Sequence, residues 1–356
     1  MELSINVGYF GPHISDDHDL IKKLDDMGFS CIWTAEAYGY DAVTPLSYFS
    51  ALTKNINIGS GIMQIPGRTP AMTAMTAITL DKLSKGRFRL GLGVSGPQVV
   101  EGWHGQPYSK PLSRTREYIE IIRDIINREE KVTYNGNFYN LPYNGPDSLN
   151  LGKPLKLIEQ PVRKNIPIYL AAIGPKNIEL SAELADGWLP FMYSPTKGDA
   201  VFSDYLSKGF KKSNNPDKSK DFNIVATVFA KLCDKDQVEE YLRPARTTYT
   251  LYVGGMGAKD KNFYFNLMCE YGYEDVATKI QDLYLDGQKQ EAEQLFPDEL
   301  LKDLTLVGTK QDIEEKYNNW KNSKVTELSI SLPIDMPTLE FIKELNWKYY
   351  SYPFTI

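Results

Sequence analysis

Three stretches of this 356-residue chain hold residue types able to do chemistry. Glu36 directly follows the apolar run Cys31-Ile32-Trp33-Thr34-Ala35. A carboxylate at such a strand end can exchange a proton with a ligand, or it can simply cap a helix or face solvent. Gly91-Leu92-Gly93-Val94-Ser95-Gly96 matches GxGxxG after a strand, but a dinucleotide fingerprint needs its third glycine inside a starting helix. Pro97 follows instead, and Gly102 and Gly105 are expected to break any helix. Ser95 fails as a nucleophile elbow because Pro97 stands where GxSxG requires glycine. What remains is a strand end of small residues that lets a planar ligand approach the backbone. In Ala171-Ala172-Ile173-Gly174-Pro175-Lys176-Asn177 an apolar strand stops at Gly174 and Pro175 takes the first helical position. The free N–H groups and helix dipole there favour an anion, with Lys176 adding positive charge; a capped helix without ligand has the same signature.

Other candidates are less pointed. His104 lies in Glu101-Gly102-Trp103-His104-Gly105, a loop placed to meet a substrate or merely to hold itself together. His13, His18 and His104 lack metal-ligand spacing. Asn57 to Pro66 reads as a buried strand whose glycines thin the wall near its end. Trp103, Trp188 and Tyr38 either wall a pocket or belong to the core. The cluster Lys211, Lys212, Lys218, Lys220 reads as a solvated loop.

The elements that must position these residues alternate from the first residue onward. Strands are expected at Leu3–Phe10, Cys31–Ala35, Ile56–Met63, Phe88–Gly93, Ile168–Ala172, Gly187–Leu189, Asn223–Lys231 and Glu327–Leu332. Helical patterns fall at Ser15–Met27, Thr44–Thr53, Thr69–Ser84, Arg114–Asn127 and Pro175–Leu184, and one more starts at Thr309 with Asp312 in a capping-box position. Eight strands in βα repetition predict a (β/α)8 TIM barrel, an α/β fold, as one domain over 1–356. Two insertions interrupt it: an Asn/Gly/Pro/Tyr-rich excursion at about 131–164 with a hairpin near Tyr134-Asn135-Gly136-Asn137, and a mainly helical insertion at about 237–304.

Composition bounds the partners. Hydrophobic residues are 42% and charged residues 24%, enough for a large core, while the net charge of −6 without a basic stripe argues against nucleic acid. Cys31, Cys233 and Cys269 form no CxxC pair, and the start lacks a signal peptide's pattern, so a cytoplasmic protein is expected. No run approaches the roughly 20 apolar residues of a membrane span.

Four motifs together resemble the luciferase-like flavin and F420 oxidoreductase superfamily along nearly the whole chain. They are Thr34-Ala35-Glu36-Ala37-Tyr38-Gly39-Tyr40-Asp41, the run from Leu80 through Ser84-Lys85-Gly86-Arg87-Phe88 into Gly91–Pro97, Ala185-Asp186-Gly187-Trp188, and Leu306-Val307-Gly308-Thr309. Gly96–Gly105 and Leu251–Gly257 are similar to the F420-dependent branch more narrowly. The resemblance implies a cis peptide bulge at Gly61-Ile62 behind a flavin-like ring, with Gln64 beside it among the cofactor-binding residues. It implies further cofactor contacts from Val94, Ser95 and Gly96, and a phosphate end held by Ala172, Ile173, Gly174, Pro175, Lys176 and Asn177. It also implies a homodimer and hydride transfer between F420 and a small organic substrate, with Glu36 at the acidic position as the candidate catalytic group and His104, from its own rim loop, as the alternative. Related F420 enzymes carry an acid followed by histidine after strand two, whereas this chain has Glu36-Ala37. The alternatives are FMN with monooxygenase chemistry, a noncatalytic cofactor-binding barrel, or a phosphate-handling barrel enzyme without a redox cofactor.

Overall fold

Apolar runs pair as parallel strands wherever a helical stretch separates them, because a parallel crossover needs that length of chain. In the computed structural model, which describes residues 1–8, 17–257, 259, 261–331 and 335–351, these runs close a ring. The ring strands are β1 (Glu2–Asn6), β2 (Cys31–Thr34), β3 (Asn57–Ser60), β4 (Phe88–Gly93), β5 (Ile168–Ala171), β6 (Gly187–Leu189), β7 (Asn223–Leu232) and β8 (Glu327–Ser331). Each pairs in parallel with its neighbour, β8 pairs β1, and β7 pairs β6 through Asn223↔Gly187 and Ile224↔Trp188. The expectations for His13, for the strand end at Tyr9-Phe10 and for Leu332 lie outside the described residues.

One face of each strand packs against the helices. Leu3 and Ile5, Leu90 and Leu92, and Leu328 and Ile330 belong to one continuous core with Ile21, Ala74, Ile121 and Ile178 from the helices. Helix Pro70–Leu83 starts with Thr69 accepting from Met72 N, and Pro70 at its first position costs no hydrogen bond. Helix Lys310–Asn322 carries the expected capping box of Thr309 and Asp312. The 131–164 excursion holds the hairpin Tyr134–Asn135/Asn140–Leu141. Helices Val238–Gly255, Phe263–Glu270, Glu274–Leu285, Lys289–Gln294 and Asp298–Asp303 form the insertion. Tyr249 anchors it to the rim, its ring 5.8 Å from both Phe191 after β6 and Phe229 on β7.

Three features depart from the sequence-based expectation. Pro97–Gly102 forms a short helix capped by Gly96, because Pro suits a first helical position even when Gly102 ends the helix a turn later. Gly198–Phe210 is a helix that no strong periodicity announced. Thr305–Gly308 is a further strand along the end of β7; Phe229 pairs with both Thr305 and Ser331, so the two flank it on opposite edges.

The inward side chains at the strand starts close the floor. Arg89 on β4 donates to Glu327 on β8 at 2.6 Å, and Trp33 Nε1 donates to the other oxygen of Glu327 at 2.9 Å. Glu2 stands 3.6 Å from Arg89. Tyr169 packs edge-on against Trp33 at 5.2 Å and accepts from Asn223 Nδ2 at 3.0 Å, and burial pushes its phenol up to about 12. With the Glu327 side chain only 2% exposed, Arg89→Met strands a buried carboxylate. We expect urea unfolding to report a loss of about 3–5 kcal/mol for Arg89→Met, largely recovered in Arg89→Met/Glu327→Leu. A single-variant loss below about 1 kcal/mol would refute the floor's structural role.

Candidate active site

All the expected site residues follow β2, β3, β4 and β5, four adjacent strands, and so sit on the C-terminal rim where barrels collect their ligands. Glu36 is the hub. Its Oε1 accepts from Gln64 N at 2.8 Å and from Arg68, and its Oε2 accepts from Ala42 N at 3.1 Å. Its own N–H donates to Ile62 O at 3.1 Å. One buried carboxylate thus ties the loop after β2 to the loop after β3. Arg68 is held in turn, because the buried Tyr118 hydroxyl donates to its carbonyl at 3.2 Å.

The Gly61-Ile62 peptide is cis, as the resemblance implies. Ile62 lies over Gly93: a Cβ at Gly93 would come within 2.3 Å of Ile62 Cδ1, so a side chain there would have to displace the Ile62 tip. Gln64 Nε2 donates to Ala37 O at 2.7 Å, which fixes the amide so that its Oε1 can only accept. His104 lies 3.1 Å from that oxygen and therefore carries a proton on Nε2. Its ring also packs beside Gly67. Glu36, Gly61, Ile62, Gln64 and His104 are accordingly one bonded unit.

The β4 and β5 ends repeat one device. Ser95 sits at a φ of 60° and Gly96 caps the helix from Pro97 without a side chain. Gly174 likewise caps helix Pro175–Leu184 with no side-chain hydrogen bond. Because Pro175 has no N–H and Asn177 N returns to Gly174 O, the cap leaves the Lys176 N–H of the first turn for a ligand. A Cβ at Gly174 would meet the Phe263 ring at 2.9 Å, so the insertion presses an aromatic against this glycine. Val94 borders a shallow cleft with Ile65, Pro66, Tyr108 and Arg114. Ala172 O accepts from Trp188 Nε1 at 2.8 Å, and Asn177 N donates back to Gly174 O at 2.9 Å. Ile173 packs at the edge of the core.

Lys176 goes elsewhere. Its ammonium pairs with Glu179 at 3.0 Å, a carboxylate shared with Lys212, and its side chain is 73% exposed. Its charge is thus drawn down the helix rather than set at the N-terminus. Trp103 and Tyr38 are exposed and Trp188 is buried in the core. Lys218 is the exception to the solvated-loop reading of its cluster, lying largely buried near Asp186 at 3.7 Å. Among the described residues no group of three His, Cys, Asp or Glu side chains is arranged to hold a metal ion. Sequence reasoning missed Arg68 and Phe263; only the fold brings them to the site, 32 residues from Glu36 in the first case.

The closed ring of eight parallel strands, each but the last followed by helical crossover chain, defines a (β/α)8 barrel. A profile of the luciferase-like monooxygenase family matches residues 4–327, and the chain belongs to that family. It is 41% identical over 332 residues to a Mycobacterium tuberculosis protein named "Putative coenzyme F420-dependent oxidoreductase", covering 93% of this chain and 95% of the relative. The coenzyme F420-dependent tetrahydromethanopterin reductase of Methanopyrus kandleri shares the fold with a TM-score of 0.78 at 21% identity, covering 98% of this chain and 100% of the other. An F420-dependent secondary alcohol dehydrogenase in complex with an F420-acetone adduct does so with a TM-score of 0.74 at 15% identity, covering 97% of each chain.

Because Glu36 holds two backbone amides and Arg68, Glu36→Gln turns one acceptor oxygen into a donor facing other donors. We expect a stability loss of about 1–3 kcal/mol and faster hydrogen exchange at the Ala42 and Gln64 amides. Unchanged exchange at both amides would refute the hub.

Proposed function

We propose that the protein is an oxidoreductase that transfers a hydride between the deazaflavin coenzyme F420 and a small organic substrate. The observation that carries this reading is the 41% identity across 93% of the chain to a relative named as F420-dependent. The site fits such a group: Gly61 adds no side chain to the bulge that a flat ring would rest on, and the bare cap at Gly174 suits a phosphate. In this reading Gly61, Ile62 and Gln64 back the ring, and Val94, Ser95 and Gly96 border it. Ala172, Ile173, Gly174, Pro175 and Asn177 hold the phosphate end, and Lys176 lends only a distant charge. Bound F420 supplies two-electron hydride chemistry at its ring.

The protein's part is to orient, exclude water and handle the proton. Both oxygens of Glu36 are occupied, which suits a positioning residue for the bulge better than a freely exchanging acid. His104, with its proton on Nε2, keeps Nδ1 as a nitrogen able to take another. We therefore assign proton handling to His104, with Glu36 as the alternative group. The compartment we propose is the cytoplasm, in keeping with free Cys31, Cys233 and Cys269; no helix among the described residues is long and apolar enough to cross a membrane.

We propose a homodimer built on an exposed apolar face. Met72, Met75 and Leu83 line the outside of helix Pro70–Leu83, and Leu155, Ile158 and Val162 are exposed on the excursion. The Lys82–Glu159 and Asp81–Arg163 ion pairs join the two segments. A surface of this kind marks an association site. Light scattering should give twice the chain mass for the wild type and the monomer mass for Met75→Asp/Leu83→Glu; a monomeric wild type would end the dimer reading.

Fluorescence titration tests the cofactor. F420 should bind saturably and far more tightly than FMN, and Gly174→Asp should weaken F420 by about tenfold or more, since it sets a negative charge at the positive end of a helix. Saturable FMN binding without F420 binding would instead favour the monooxygenase reading.

A further inference from the structure

Inside the barrel, above the Arg89–Glu327 floor, one wall carries hydroxyl groups that no protein group satisfies. Leu3, Ile5, Leu328 and Ile330 face the helices, so alternation turns Ser4 and Asn6 on β1 and Ser329 and Ser331 on β8 inward. The parallel register arranges them in tiers. Ser4 lies beside Ser329 and Asn6 beside Ser331, and β7 adds Thr227 to the first tier and Phe229 to the second. The hydroxyls of Ser4, Ser329 and Ser331 are buried and have no hydrogen-bond partner among the described residues. Ser4 is 0% and Ser329 1% exposed. Asn6 Nδ2 only just reaches Thr227 Oγ1, at 3.5 Å.

A buried hydroxyl without a partner costs about 1–3 kcal/mol. Alanine would serve packing better at each of these positions, so adjacent unsatisfied hydroxyls point to a ligand rather than to stability. Across the barrel, Gly59 is covered by the Trp33 ring, Gly91 by Ser60 O and Leu189, and Gly93 by Ile62. The charge below decides which ligand. Two carboxylates, Glu2 and Glu327, face a single guanidinium, that of Arg89. Higher on β7, Lys231 is committed to Asp335 at 3.1 Å. An anion entering here meets an acidic floor and no free cation among the named groups.

We infer that Ser4, Ser329 and Ser331, with Asn6 and Thr227, form the substrate-binding wall and receive the hydroxyl or carbonyl group of a neutral organic molecule. The inference rests on the F420 reading for the reaction that the wall serves, but not for the binding itself. These residues are separate from the rim stretches assigned to the cofactor.

Thermal unfolding with and without cyclohexanol, cyclohexanone and cyclohexanecarboxylate tests the wall on the protein alone, while F420 titration tests the cofactor separately. Ser329→Ala should unfold at the wild-type temperature or above, since it removes an unsatisfied hydroxyl. Cyclohexanol and cyclohexanone should raise the wild-type midpoint and lose that effect in Ser329→Ala, with the carboxylate giving none, and F420 affinity should stay within about twofold, as expected for a group that makes no hydrogen bond to the cofactor. A midpoint lowered by several degrees in Ser329→Ala would make the hydroxyl structural and overturn the inference. An equal or larger shift by the carboxylate, or no shift by the neutral probes, or their undiminished shift in Ser329→Ala, overturns it as well. A tenfold F420 loss in Ser329→Ala would give the wall to the ring instead. If the wild type binds no F420, the cofactor reading fails and the thermal shifts still decide the wall.

Discussion

The buried ion pair between Arg89 and Glu327 sets the terms for the rest of the molecule. β4 and β8 stand four places apart in a ring of eight, so this contact crosses the full width of the barrel. A charge removed from water is tolerable only when its partners meet it closely, and Glu327 is met by Arg89 on one oxygen and by Trp33 on the other. The bulk of Trp33, Tyr169 and Arg89 is thereby spent at the bottom. Above them the inward positions include glycine, alanine, serine and threonine, with Asn6, Leu189 and Phe229 among the larger side chains.

The rim is organised by a second carboxylate. Glu36 collects two amides and Arg68, and through them it fixes the chain from Gly61 to Arg68 against β4. Gln64 passes this order on to His104 by orienting its own amide against Ala37. A residue that looks from its strand-end position like a proton donor is thus bound up in holding the surface on which a ring would rest. The two carboxylates act at different depths, one making the floor and one shaping the mouth.

Much of this was legible in the sequence for definite reasons. All eight ring strands announce themselves as short apolar runs separated by helical stretches, and Gly174-Pro175 marks a helix start by its own chemistry. The strand Thr305–Gly308 was hidden because four residues next to helices carry too little periodicity to separate from a helix end. The Arg89–Glu327 contact spans 238 residues; the only local sign was a lone charge at the start of each apolar strand. Lys176 reads as part of an anion site from its position at a helix start, but Glu179, one turn on, draws its ammonium away. The serine wall stayed unread because inward-facing hydroxyls become a pattern only once β8 closes against β1 and the register sets them side by side.

In the proposed reading, floor and rim together shape one site for a flat cofactor with an anionic tail. A crystal structure of the protein soaked with F420 tests it most directly. The ring should sit against Gly61-Ile62 inside the barrel mouth, with its phosphate at the first turn of helix Pro175–Leu184. A phosphate bound away from that helix, or a ring lying outside the barrel, would contradict it.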